Sequence, residues 1–249
     1  MIESMDTKAH YEQHLAAVYA WMVGDFDENS AAFQELLQRY RVKPQGNKVA
    51  IDLGAGHGIQ SVALHHAGFQ PIAIDFSRQL LDALKKQPES KHIAIKEDDI
   101  RNVGSYAELR PELILCWGDT LTHLANEGEV MQLITDCASI LSHSGKLMLA
   151  FRDYSKVLEG NQRFIHVRSD ANTILTCVLE YGKEKVTVND LLYNRRGDQW
   201  EQQLSSYQKL RIAPEKVIAL LEKNGFQITV QETESGMQII VAEQQTNNA

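Results

Sequence analysis

The sequence predicts an α/β fold: a doubly wound, mostly parallel sheet with helices on both faces, followed by an antiparallel β insertion. Three observations predict it. From residue 48 to 151, short apolar runs alternate with amphipathic segments, the pattern of strands buried on both faces and the helices that cover them. After residue 152 the chain changes to β-prone runs separated by turn signals, which suits antiparallel strands. Between 213 and 243 an amphipathic helix and two further strands return.

The elements follow in order. Residues 8–23 place Tyr11, Leu15, Val18 and Met22 at helical spacing. "DFDENSAAFQELLQRY" reads as a second helix, with Asp27, Asn29 or Ser30 as its cap and Phe33, Leu36, Leu37 and Tyr40 on its apolar side. Pro44 and Gly46 break the chain before a first strand at 48–53. A helix over about 57–67 is closed by Gly68. "QPIAID" (70–75) is the second strand, and Ser77 caps a helix carrying Leu80, Leu81 and Leu84 along one face. "KHIAIKEDDI" supplies a third strand and an acidic loop, "ELILCW" (112–117) a fourth strand, 127–141 a helix, and "GKLMLAF" (145–151) a fifth strand.

About 60 residues then separate the fifth strand from the next helix, too many for a plain loop. "RFIHVRS", "TILTCVLEY", "KVTVNDLLYN" and "WEQQLSSYQKL" make that stretch a structured insertion. "APEKVIALLEKNGF" resumes the α/β pattern, with Pro214 near its start and Asn224-Gly225 as its stop. Strands at about 226–232 and 237–243 and a polar tail, "EQQTNNA", complete the reading. The expected organisation is an N-terminal helical cap (1–46), a ligand-binding domain (47–154 and 210–249) and an antiparallel insertion (155–209).

Composition narrows the function. The hydrophobic content of 43% is enough for a full core, and no run has the length needed to cross a bilayer. The N-terminal stretch lacks the apolar segment of a signal peptide. Cys116, Cys137 and Cys177 lie far apart in apolar runs, without metal spacing, so no metal and a reducing, cytoplasmic compartment are expected. A net charge of −8 argues against nucleic acid and favours a neutral or cationic small ligand. A homodimer is compatible with this composition.

The stretch "AIDLGAGHGIQ" (50–60) carries the chemistry. Gly54, Gly56 and Gly58 follow an apolar strand that ends in Asp52, so a turn lies where a ligand can approach the main chain closely. The spacing G-x-G-x-G brings the third glycine one residue earlier than the dinucleotide fingerprint does. Asp75 ends the second strand 19 residues after Gly56, where a carboxylate can accept two hydrogen bonds from ribose hydroxyls. Asp98 or Asp99, after the third strand, can accept from an adenine amino group.

This order of features resembles the class I S-adenosylmethionine-dependent methyltransferases, strongly over residues 48–151 and again over 213–243. The resemblance implies a Rossmann-like sheet with an antiparallel last strand, and S-adenosyl-L-methionine as cofactor. It implies that Asp52, Gly54, Ala55, Gly56 and Gly58 lie under the cofactor's methionine end and ribose. It further implies that Asp75, with Phe76, binds the ribose, and that Asp98 or Asp99, with Ile100, holds adenine. Trp117 and Gly118, with Asp119, match the end of the fourth strand beside the methyl group. His57 occupies a position that varies in the family and receives no role.

Methyl transfer requires an aligned nucleophile and, where the nucleophile carries a proton, a place for it to go. Candidates lie past the fourth and fifth strands, where open α/β sheets bind ligands. Asp119 and His123 follow the fourth strand, and an unperturbed imidazole titrates near neutrality, as a general base should. Arg152 and Tyr154 follow the fifth strand and are expected to meet a substrate carboxylate or amine. The insertion is similar in architecture to the antiparallel cover of some small-molecule N-methyltransferases, which favours nitrogen slightly and implies a substrate lid. Two other readings remain at this point: an NAD(P)-dependent oxidoreductase, and a non-catalytic module that binds S-adenosylmethionine.

Overall fold

The computed structural model describes residues 10 and 14–245. Tyr11 and the last four residues of the polar tail lie outside them. Helix α1 (Ala16–Val23) and helix α2 (Phe26–Arg39) precede the sheet. The cap of α2 is Asp25 rather than Asp27, Asn29 or Ser30. Its carboxylate accepts from the Glu28 amide at 2.9 Å, while Asn29, already inside the helix, donates back to the Asp25 carbonyl at 2.6 Å. Gly24, at φ 102°, ends α1 and turns the chain into α2.

Strand β1 (Val49–Leu53), helix α3 (Ile59–His66), strand β2 (Gln70–Asp75) and helix α4 (Arg78–Leu84) form the first two crossovers. Ser77 caps α4 as expected, accepting from the Leu80 amide at 3.4 Å. Strand β3 (Ala94–Glu97), strand β4 (Leu113–Cys116), helix α5 (Glu127–Ile140) and strand β5 (Lys146–Arg152) follow. The insertion contributes strands β6 (Phe164–Ser169), β7 (Thr173–Tyr181), β8 (Lys185–Arg196) and β9 (Gln199–Leu210). Helix α6 (Pro214–Lys223) and strands β10 (Phe226–Glu234) and β11 (Met237–Gln244) close the chain.

Seven strands form one sheet in the order β10-β11-β5-β4-β1-β2-β3. Only β11 runs against the rest, pairing antiparallel with both β5 and β10. Period two explains the unbroken apolar strands: in β4, Ile114 and Cys116 enter the core under α5 and α6, while Leu113 and Leu115 enter the core under α2 and α3. The C-terminal ends of β1, β2, β4 and β5 therefore meet along one edge.

The insertion is a separate four-stranded antiparallel sheet, β6-β7-β8-β9. Its inner face buries Leu179, Val186, Val188 and Tyr207 against Tyr154, two residues past β5. These few side chains make no independent core, so the sheet depends on the domain that it covers.

Candidate active site

A cavity of about 280 Å³ opens at the C-terminal edge of the sheet. Its floor is the loop after β1. The Gly54 and Ala55 amides donate to the Ile74 carbonyl at 2.8 and 3.0 Å, tying the loop to β2. The three glycines differ in what they make room for. A Cβ on Gly54 would lie 2.4 Å from Thr120 Cγ2, and one on Gly58 2.2 Å from Leu84 Cδ1. Both leave room for protein packing. At Gly56 the nearest neighbour would be the Tyr19 ring at 3.5 Å, where Tyr19 walls the cavity. Gly118, after β4, would meet nothing within 4 Å at φ 68°, so its missing side chain leaves the cavity open.

Asp75 lies at the corner between β2 and the glycine loop. Its Oδ2 accepts from the Gly56 amide at 2.8 Å and its Oδ1 from the Ser77 amide at 2.7 Å. Burial pushes this carboxyl up, and the backbone donors partly offset that. Each oxygen keeps lone-pair capacity toward the cavity that it lines. Phe76, Leu80, Ile100 and Leu124 supply the apolar wall. Asp52 sits beneath the loop and outside the lining, accepting from Ser61 Oγ at 2.6 Å; burial foremost pushes its carboxyl up to about 7. Burial, then the nearby Asp75 and Asp52, push the Tyr19 phenol up to about 12.

The two acids after β3 separate clearly. Asp98 turns away, accepting from Asn102 Nδ2 at 2.7 Å and from the Tyr106 hydroxyl at 2.9 Å. Asp99 lines the cavity and is paired with Arg101 at 2.6 Å, which reaches on to Glu129 at 3.4 Å. Trp117 points to the opposite face of the sheet, with its ring edge-on to Phe33 at 5.0 Å. Its carbonyl faces the site side and accepts from Thr120 Oγ1 at 2.7 Å.

Asp119 stands at the junction of sheet and insertion, at φ 73°. Its Oδ1 accepts from the Arg152 amide and from Thr122 Oγ1, each at 2.9 Å; its Oδ2 accepts from the Tyr154 hydroxyl at 2.9 Å and from Lys209 Nζ. Burial works to raise this carboxyl, but the Lys209 charge and these donors outweigh it and hold it below the usual carboxylate range. A carboxylate engaged four times is an anchor, and Tyr154, buried behind it, is committed to the same anchor. Neither is exposed to the cavity, contrary to the expectation of substrate-facing groups. Arg152 departs further: its amide serves Asp119, but its side chain is exposed at the far rim.

His123 does reach the cavity wall. Burial, then the adjacent Lys209 charge, push its imidazole down to about 3, against the near-neutral value expected of a base. Tyr207 of β9 stacks on it at 5.8 Å, and His10 stacks on Tyr207 at 4.2 Å. His10 Nε2 in turn lies 3.4 Å from Asp190 on the insertion's inner face.

Sequence reasoning missed Lys209 and Tyr207, which lie about 90 residues beyond β4. The available signal was the alternation "SSYQKL", which places Ser205, Tyr207 and Lys209 together on one face of a strand. Among the described residues, no cluster of His, Cys, Asp and Glu could hold a metal ion, and no helix is long and apolar enough to cross a membrane.

Comparison with known proteins bears on this geometry directly. Residues 50–145 match the family described as a methyltransferase domain. A glycine/sarcosine N-methyltransferase of Aphanothece halophytica is 26% identical over 188 residues, 75% of this chain and 69% of that one. The enzyme of the same name from Halorhodospira halochloris is 30% identical over 47% of this chain, which spans about half of its length (45%). The S-adenosylmethionine-bound amino pentose methyltransferase CalS10 of Micromonospora echinaspora shares the fold at TM-score 0.73 and 13% identity, with 94% of this chain and 97% of that one covered. The dinucleotide and non-catalytic readings find no counterpart in these matches. With its glycine loop, its strand-end acids and its reversed last strand, the chain carries a methyltransferase domain over residues 50–145 and shares its fold with S-adenosylmethionine-dependent methyltransferases.

Proposed function

We propose that this enzyme methylates a nitrogen of a small amine, with the cofactor in the cavity over the glycine loop and the insertion closing over the acceptor. The observation that carries the reading is the Asp75 carboxylate, held by the Gly56 amide at one corner of a cavity that Gly118 leaves open. The residues fit the group. Asp75 retains acceptor capacity for two ribose hydroxyls, Asp99 and Ile100 bound the adenine end, and Gly56 and Gly118 admit the cofactor to the backbone. When bound, S-adenosylmethionine supplies an electrophilic methyl group on a sulfonium.

Around that group, the chain's own residues orient, exclude water and manage protons. Tyr19 walls the cavity with an aromatic ring, a surface that attracts cations. His123, held neutral, serves as a hydrogen-bonding partner that orients the acceptor and leaves the acceptor's proton to bulk water. Tyr207 and the Asp119–Lys209 anchor fix the insertion above that histidine. Nitrogen is favoured because the sequence relatives are named for glycine and sarcosine nitrogen and the CalS10 neighbour for an amino pentose. The free thiols Cys116, Cys137 and Cys177 fit a reducing, cytoplasmic setting.

Three titrations and one panel test this. Calorimetry should detect S-adenosylmethionine and its demethylated product and no NAD. Initial rates on matched amines and alcohols should favour amines; equal or faster methylation of the alcohols overturns the assignment to nitrogen.

A further inference from the structure

An antiparallel sheet with one face on a core should show polar residues on the other. The outer face of the insertion does so over only half its area. Direct cross-strand partners lie on one face, so the register places Glu180, Thr187, Lys185 and Gln208 together, and these are polar. Toward the β8–β9 hairpin, the same face carries Val178, Ile174, Leu191, Tyr193, Leu204 and Trp200, with Thr176, Gln202 and Arg195 between them. Trp200 is 45% and Leu204 43% exposed, and Phe164, opposite Val178 on β6, is 56% exposed.

The strand that borders this patch is open. Among the described residues, β9 pairs with β8 alone, and residues 199–204 are exposed on both faces. Such an edge presents unpaired backbone donors and acceptors and is a template for another strand. Neither Pro nor a bulge blunts it, and within residues 199–204 the one charged side chain is Glu201.

We propose that a second copy of this chain pairs with this edge, β9 against β9, about a two-fold axis at Gln202. Three features select a copy over another partner. With the axis at Gln202, Trp200 lies opposite Leu204 of the second copy, an aromatic–aliphatic pair made twice. The same register sets Glu201 against Gln203, so the two carboxylates are not opposed; an axis at residue 201 would oppose them directly. The hairpin is also locally neutral, Arg195 and Arg196 balancing Asp198 and Glu201, on a chain of net charge −8 whose copies otherwise repel. The result is a continuous eight-stranded sheet that joins the two apolar half-faces.

The full chain should sediment at twice its 28.1 kDa mass over a micromolar concentration series. Leu204→Lys, which sets a cation against the partner's Trp200, should weaken association at least tenfold and leave cofactor binding intact. Gln202→Cys reads the same contact without depending on a destabilised fold. Directly opposed Cα atoms lie about 4.5–5.5 Å apart, within disulfide reach, so mild oxidation should link two chains. Gln203→Cys, about 8 Å from its own copy by strand rise and spacing, should not link. A monomeric wild type, a dimer indifferent to Leu204→Lys, or equal cross-linking through residue 203 overturns the proposal.

Discussion

Replacing Lys209 with methionine keeps the length of the side chain and deletes the cation that faces Asp119. Both groups are buried, at 8% and 6% side-chain exposure, so solvent can replace little of what is lost. Removing one partner of a buried pair costs about 3–5 kcal/mol, because the other charge stays buried. Asp119 keeps the Tyr154 hydroxyl, Thr122 Oγ1 and the Arg152 amide, which places the expected loss near the low end, about 3 kcal/mol. For a chain of this size that corresponds to a fall of about 6–12 °C in melting temperature.

The pH dependence gives the sign. In the wild type the Asp119 carboxyl is held low, so its contribution is complete above the unfolded value near 4 and is lost only as pH falls through the lower folded value. In the variant, burial without the cation pushes that carboxyl up, and its protonation relieves the buried charge as pH falls. The stability gap should therefore be widest near neutrality and shrink toward about pH 4. Urea unfolding across that range measures it, with the exposed Lys216–Glu127 pair as control: Lys216→Met should cost about 0–1 kcal/mol. A Lys209→Met loss as small as the control's, or one that does not narrow in acid, refutes the anchor.

Three further outcomes are expected. Asp75→Ala should weaken cofactor binding by about 1.5–3 kcal/mol for each ribose hydrogen bond lost, read by calorimetry on the folded protein; unchanged affinity would remove Asp75 from the site. Gly118→Val should abolish binding at a modest cost in stability, about 1–2 kcal/mol for a left-handed backbone. Gly58→Ala should instead act on the fold, because its Cβ would fall 2.2 Å from Leu84; normal binding by Gly118→Val contradicts the cavity assignment. His123→Gln should reduce turnover by a similar factor at all pH values near neutrality, since an imidazole at about 3 does not change charge there. Because that folded value lies below the unfolded one, the wild type loses stability as pH falls from about 6.5 toward 3, and the variant should be spared this loss. A rate break near neutrality that disappears in the variant would restore the general base.

The sheet and the corner where Gly56 meets Asp75 were legible in the sequence because local signals set them. Gly56 and Asp75 both sit where a strand meets a loop, and the strand alternation alone brings them within 2.8 Å. The strand-end candidates Asp119, Arg152 and Tyr154 were found by position, but their orientation depended on a partner that position does not give. The left-handed backbone at Asp119 turns its carboxylate toward β5 and toward Lys209, 90 residues later in sequence. Asp98 and Asp99 were inseparable for the same reason: only the folded loop shows Asn102 and Tyr106 claiming the first and leaving the second at the cavity. Burial likewise moved His123 far from its ordinary titration, which no spacing reveals.

On the proposed function, a methyl group leaves the cofactor in this cavity for a small amine. Incubating the wild type with methyl-labelled S-adenosylmethionine and glycine, sarcosine or an amino sugar, then locating the label by mass spectrometry, tests it most directly. Label is expected on the nitrogen of at least one of these amines, and little or none with Asp75→Ala. Label on oxygen or carbon alone, or undiminished transfer by Asp75→Ala, would contradict it.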